Sequence, residues 1–261
     1  MMMTTKLITS GQKNQIAQLF AVAGSTAAIG WLEEMAEVVL SEEAQKVITS
    51  GGNFQAMMTP ELKNAFAKAF WIASGKKHLC AFELEQYFKE VLDYHVDLTG
   101  LPFPEKEGMP VYMVGGLPLT TAVIMERVTS HFKVGQYLWK TLEEGAMIRD
   151  MNQKRPQGRY MFAHTGSEEP DAKHRNKSFD DFTSEKLQCM DPSEYLLSTG
   201  FHMWKHKKWM DMVGWTRTSS LWSDGCAVCG CFLPDSQWLC LNDGRRVRRN
   251  ARAGPRELFL G

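Results

Sequence analysis

Apolar side chains recur every three to four positions through the first hundred residues, the spacing of amphipathic helices. Ile16, Leu19 and Phe20 share one face behind Ser10, a capping residue type. Trp31, Leu32, Met35, Val38 and Val39 form a second face, ending near Ser41. In Thr59-Pro60-Glu61-Leu62 the threonine caps and the proline takes the first helical position, where its missing N–H is no loss. Leu62, Phe66, Phe70 and Ala73 follow on one side, and Gly75 stops that helix. Phe82 to Val96 reads as another amphipathic helix, ended by Gly100-Leu101-Pro102. These stripes read as core rather than as a partner groove. Residues 1–105 are therefore expected to form a helical N-terminal region.

The pattern shortens after Pro104. Val111-Tyr112-Met113-Val114 is a strand candidate closed by a Gly115-Gly116 turn. Ala122 to Val128 and Tyr137 to Leu142 fit strand or helix, and periodicity does not decide between them. Residues 164–182 are polar, with His164, Glu168, Glu169, Asp171, Lys173, His174, Arg175, Asp180 and Asp181. They read as a long exposed loop. From Trp204 onward Trp, Gly and Ser crowd the chain, which leaves room for short strands and loops but not for long helices.

Charge changes this picture little. Thirty basic residues balance thirty acidic ones, which excludes binding to polyanions through bulk charge. No run is apolar enough to span a membrane. The start, Met1-Met2-Met3-Thr4-Thr5-Lys6-Leu7, lacks the apolar stretch of a secretory signal. The expectation is a soluble protein, cytoplasmic or built into a larger particle. Cys80 and Cys189 stand alone, whereas Cys226, Cys229, Cys231 and Cys240 crowd together. Without a secretion signal these do not read as a disulfide framework.

Composition matters most at the end. The 18 Lys and 16 Met of the chain are absent from residues 214–261, which hold seven of the twelve Arg. Arg245, Arg246, Arg248, Arg249 and Arg252 lie within eight positions. A basic surface normally mixes Lys with Arg, so the exclusion points to a constraint on codons. Codons ending in a pyrimidine cannot encode Trp, Gln, Lys, Met or Glu. After Gly225 these types occur only as Gln237, Trp238 and Glu257. The tail reads as a fixed frame with freely drawn residues between.

Two stretches frame it: Gly214-Trp215-Thr216-Arg217-Thr218-Ser219-Ser220-Leu221-Trp222-Ser223-Asp224-Gly225, and the closing Gly254-Pro255-Arg256-Glu257-Leu258. With the Cys- and Arg-spotted segment between them, the tail from Tyr195 on resembles the variable proteins of diversity-generating retroelements. In that family a reverse transcriptase copies a template with errors at adenines, and the copy replaces the 3′ end of the gene. The resemblance implies a C-type-lectin-like domain, related to the formylglycine-generating (sulfatase-modifying) fold, over residues 106–261. Its variable region would run from about 219 to 253. The displayed, ligand-binding residues would be Cys226, Cys229, Cys231, Ser236, Cys240, Asn242, Arg245, Arg246, Arg248 and Arg249. The structural frame would be Trp215, Trp222, Gly225, Trp238, Gly254 and Arg256.

Trp215, Trp222 and Trp238 are suited to anchor loops by burying rings whose N–H finds a partner. Arginine on such a face suits carboxylate, phosphate or aromatic partners. Sharper chemistry is weighed against it. Cys226-x-x-Cys229-x-Cys231 with Cys240 has one zinc-knuckle pair but no standard second one. His202 and His206 are one helical turn apart, without the glutamate of a metalloprotease motif and among Lys205, Lys207 and Lys208. Cys226 and Cys231 imitate the thiol pair of the sulfatase-modifying enzymes, but nothing flanking them lowers a thiol pKa. The arginine run lacks the interleaved aromatics of a nucleic-acid strip. The acids of 168–181 lack the ladder of a calcium loop. The reading is an α+β protein that binds a macromolecular ligand without catalysis, cofactor or metal, with its helical region suited to homo-oligomerisation.

Overall fold

The structure, a computed structural model, describes residues 79–98, 101–143, 147–149 and 153–260. The helices expected behind Ser10, across Trp31 to Val39 and from Thr59 lie outside them. The chain divides into two compact units, Met1–Glu83 and Leu84–Gly261. In the second unit the chain after the first helix buries Val96, Leu98 and Met109.

Helix α1 (Leu79–Leu92) stops short of the expected Val96. Asp93 takes a left-handed φ of 43°, and the Tyr94 N–H reaches back 3.0 Å to the Phe88 carbonyl. That closes the helix in a Schellman-type turn. Strand β1 (Val111–Gly115) forms where its apolar run predicts it. The undecided stretch after it is helix α2 (Thr121–Phe132). The Thr120 side chain caps it, accepting the Val123 N–H at 3.3 Å, and Ile124, Met125 and Val128 are buried at helical steps. Of the second undecided stretch only Tyr137 and Leu138 lie in a strand, β2 (Gly135–Leu138), and residues 139–142 are neither strand nor helix. Strands β3 (Met147–Arg149) and β4 (Tyr160–His164) follow.

Residues 164–182 are not the exposed loop that their polarity predicts. They hold a 3-10 turn (Ala172–His174) and run into helix α3 (Phe179–Ser184). His164, Asp171, His174, Ser178, Phe179 and Phe182 are buried. The reason is local: Phe179 and Phe182, three apart on α3, pack with Cys189, Ala227 and Cys229, and the carboxylates around them cap backbone. The Glu169 carboxylate accepts the N–H groups of Val213 and Gly214 at 3.0 and 2.7 Å. Asp171 accepts the Glu257 N–H at 2.8 Å.

Helix α4 (Pro192–His206) starts in a capping box between Asp191 and Glu194, with Pro192 in its first turn. Strands β5 (Trp215–Trp222), β6 (Ala227–Leu233), β7 (Trp238–Gly244) and β8 (Ala253–Pro255) complete the chain. They form a mixed, curled sheet in the order β2-β7-β6-β5-β3, with β8 also on β5. The outer edge of β5 is shared end to end: β8 runs parallel along Trp215 to Arg217, and β3 antiparallel along Ser220 to Trp222. β1 and β4 make a separate antiparallel pair. Tyr195 of α4 lies so close over β6 that a Cβ at Gly230 would stand 2.1 Å from its ring. No helix among the described residues is long and apolar enough to cross a membrane.

Candidate ligand-binding site

The frame residues hold the end of the chain from inside. Arg256 is 1% exposed. Its guanidinium bonds the Asp211 carboxylate at 2.6 Å, the Thr216 hydroxyl at 2.8 Å and the Ser167 carbonyl at 2.7 Å. Trp222 is buried, and its indole N–H reaches the Asn242 carbonyl at 3.1 Å. Gly254 is buried where a Cβ would come within 2.6 Å of the His174 carbonyl. Trp215 is half-buried, and Gly225 sits in an exposed turn at φ 83°.

Trp238 departs from the expected anchor role. It is 42% exposed, because it stands on the β7–β2 side of the sheet. There its ring stacks on Tyr137 at 6.0 Å and covers Gly135.

The ten residues expected on the binding face separate into groups. Cys229, Cys231 and Cys240 do not stand on a water-facing surface. They are 4%, 1% and 0% exposed, because both faces of β6 and its β7 neighbour are covered. Cys231 lies opposite Cys240 across the strands. Its hydrogen bond to Cys240, then burial, pushes the Cys231 thiol far up. Burial pushes Cys229 up to about 11, and burial together with Asp224 raises Cys226. These three are unactivated thiols. Cys226 is half-buried in the β5–β6 turn, and its N–H bonds to Asp224 at 3.0 Å. Ser236 is exposed at the β6–β7 turn, at the opposite end of β7 from Gly244 and roughly 20 Å away along the strand. His202 and His206 do share the last turn of α4, with rings 4.7 Å apart. Among the described residues no three His, Cys, Asp or Glu side chains come together as a metal-holding group.

What the fold does gather is the loop after β7. Arg245, Arg246, Arg248 and Arg249 are all exposed on it, and its two arginine pairs face different neighbours. Arg246 pairs with Asp180 and lies 5.6 Å over the Phe179 ring. Arg249 grips Asp181 with two bonds, at 2.8 and 2.7 Å. Arg249, then Ser178 at the head of α3, holds the Asp181 carboxyl well below the usual range. The Phe179 N–H adds a 3.0 Å bond to the Arg246 carbonyl. So α3 is the clasp of this loop.

Arg245 and Arg248 turn the other way and line a cavity of about 270 Å³. Its walls include Asn242, Asp243 and Gly244 at the end of β7, Cys229 of β6, and Asn250. Arg217, inside β5 and 3% exposed, lines it as well. The Arg217 guanidinium bonds the Arg248 carbonyl at 2.7 Å and touches that of Arg245 at 3.5 Å. Among the described residues its Nε has no hydrogen-bond partner. Sequence reasoning placed Arg217 in the frame and did not see it as part of a site. The available signal is a charged residue in the middle of an otherwise small, uncharged strand run, Thr216-Arg217-Thr218-Ser219-Ser220.

A second cavity, about 310 Å³, lies between β1, β4 and the start of α4. Arg155, Tyr160 and Glu194 line it. Comparison of the chain with protein-family models, curated proteins and solved structures returns no match. The fold is α+β with a curled mixed sheet, and the site is an arginine-lined cavity beneath an exposed loop.

Proposed function

We propose that the chain is a non-catalytic ligand-binding protein, a variable protein of a diversity-generating retroelement on a C-type-lectin-like domain. Its binding face is narrower than the codon pattern alone implies. It comprises Asn242, Arg245, Arg246, Arg248 and Arg249, without Cys229, Cys231 and Cys240. The observation that carries the reading is the mounting of the Arg245–Arg252 loop. Its arginines stand in water, while the elements on either side are pinned by the buried Arg256, Trp222 and Gly254. A loop held this way accepts substitution at low cost in stability. Its side chains then set what is bound.

Sequencing the DNA around the gene tests this. The expected result is a near-duplicate of the 3′ end, with adenines at the codons for Asn242, Arg245, Arg246, Arg248 and Arg249, beside a reverse transcriptase gene. A locus with neither overturns it.

A further inference from the structure

Among the described residues of the second unit three arginine side chains are almost wholly buried, and two of them have a carboxylate. Arg155 holds Glu194 at 2.6 Å and Arg256 holds Asp211 at 2.6 Å. Arg217 forms no ion pair among the described residues. A guanidinium carries five N–H donors and cannot shed its charge. Arg217 spends one on a good bond, to Arg248, and one on a contact of 3.5 Å. A buried charge left this way is costly unless a counter-ion arrives.

The space for that counter-ion is next to it. The 270 Å³ cavity is several times the ~30 Å³ share of one water. Gly244 keeps it open on the Arg217 side: a Cβ there would stand 3.1 Å from Nη1 and 2.7 Å from the Cys229 sulfur. Arg245 and Arg248 bring two more positive charges to the walls, and Asn242 and Asn250 bring amides. Asp243 is the one carboxylate in the lining.

We infer that this cavity is a built subsite for a carboxylate, supplied by an acidic side chain of the protein ligand, with Arg217 as its fixed anchor. This rests on the reading of the face as ligand-binding and specifies the chemistry it grips. A carboxylate fits better than a phosphate. It is planar and singly charged, so Asp243 in the lining repels it less than it would a dianion. The molecule itself pairs guanidinium with carboxylate in Arg155 on Glu194 and in Arg249 on Asp181. In Arg217 the Nε is sealed off and Nη2 is held by the Arg248 carbonyl. That leaves Nη1, beside Gly244 and in only a 3.5 Å contact with the Arg245 carbonyl, as the nitrogen to meet the carboxylate. Arg217 belongs to the frame and Arg245 and Arg248 to the changeable loop. The anchor is therefore constant, while the rim selects which acidic side chain reaches it.

The test titrates the isotope-labelled full chain with N-acetyl-glutamate methylamide, N-acetyl-glutamine methylamide and inorganic phosphate, following arginine Nε–H signals by NMR. The expected result is a saturable shift of the Arg217 signal with the glutamate probe at millimolar concentration, and none with the glutamine probe. Arg245→Ala with Arg248→Ala should weaken that binding about tenfold, since charge-assisted bonds are lost. Gly244→Ala should abolish it by filling the space, in a chain whose other signals persist. Arg217→Gln should also abolish it, and Gly244→Ala keeps the test valid if that variant fails to fold. Saturation by phosphate alone, or glutamate binding that survives Gly244→Ala, overturns the inference. Neither outcome bears on the DNA around the gene, so the two readings fail separately.

Discussion

The Arg155 and Arg217 regions pose the same electrostatic problem and answer it differently. Each has a buried guanidinium beside a cavity. Around Arg155 every demand is met inside the chain. Glu194 takes two of its N–H groups, and the Cys189 carbonyl and Gln188 side chain take others. Glu194 in turn accepts the Tyr160 hydroxyl at 2.6 Å and the Asp191 N–H at 2.7 Å. Burial alone would lower the Arg155 pKa, but Glu194 outweighs it and holds the pKa above its ordinary value. The larger cavity thus has the quieter chemistry. What marks Arg217 is unmet demand rather than volume.

The contrast breaks most visibly when a carboxylate is removed. Glu194→Leu leaves Arg155 buried without its counter-ion and also ends the α4 capping box. Uncompensated buried charges of this kind cost about 3–5 kcal/mol. Denaturant unfolding should show a loss of that size. If Glu194→Leu proved as mild as a surface change, Arg155 would have found other partners and the contrast would dissolve.

His164 sharpens the comparison, because it is a buried group that can discard its charge. Its Nδ1 accepts the Gly166 N–H at 3.1 Å, and its Nε2 has no hydrogen-bond partner among the described residues. Burial, with smaller contributions from the nearby charges of Arg256 and His202, lowers its pKa from 6.5 to about 3. The unfolded chain therefore binds this proton first. The contribution is full above pH 6.5 and is lost progressively as pH falls from there toward 3. Between pH 7 and pH 5 this one group should remove on the order of 2 kcal/mol. Unfolding of His164→Gln against the parent at both pH values checks it: the variant should have the flatter profile.

Arg217→Leu comes next in size. It removes an unpaired charge and one good hydrogen bond, so the two changes oppose each other. The expected loss is about 1 kcal/mol or less, well below that of Glu194→Leu by the same unfolding measurement. A loss as large as at Glu194 would mean that Arg217 has an internal partner and no vacancy to fill.

These differences were only partly legible in the sequence. Local signals succeeded where the decision is local. The run Val111 to Val114 gave β1. The α+β class followed from a shortening of the apolar period. The thiols misled because β6 is covered on both faces, which erases the alternation that would have told inside from outside. The 164–182 segment misled because its acids serve as caps and clasps within the fold, and polarity does not distinguish these from solvated residues. The clasp itself joins Asp180 and Asp181 to arginines 66 and 68 positions away. Local spacing carries no information about such contacts. Arg217 was read only as part of the frame, and its lack of an ion-pair partner among the described residues is a property of three-dimensional packing.

The smallest effects divide the loop itself. Arg246 and Arg249 hold α3, whereas Arg245 and Arg248 line the cavity. Arg245→Ala with Arg248→Ala should leave stability within about ±0.5 kcal/mol, as surface changes do. Arg246→Ala with Arg249→Ala should barely move global stability either, since exposed ion pairs contribute little. It should loosen the loop. The Phe179 amide, bonded to the Arg246 carbonyl, would then exchange its hydrogen several-fold faster, while the same amide in the Arg245/Arg248 variant keeps its parent rate. Because Arg249 depresses the Asp181 pKa, this clasp is present above the ordinary carboxylate pKa of 3.8 and is lost only as pH falls through the lower folded value. Exchange at pH 4 should therefore still separate the two variants. Equal rates in both would mean that the arginine pairs are interchangeable and that the loop has no distinct clasped and cavity-facing sides.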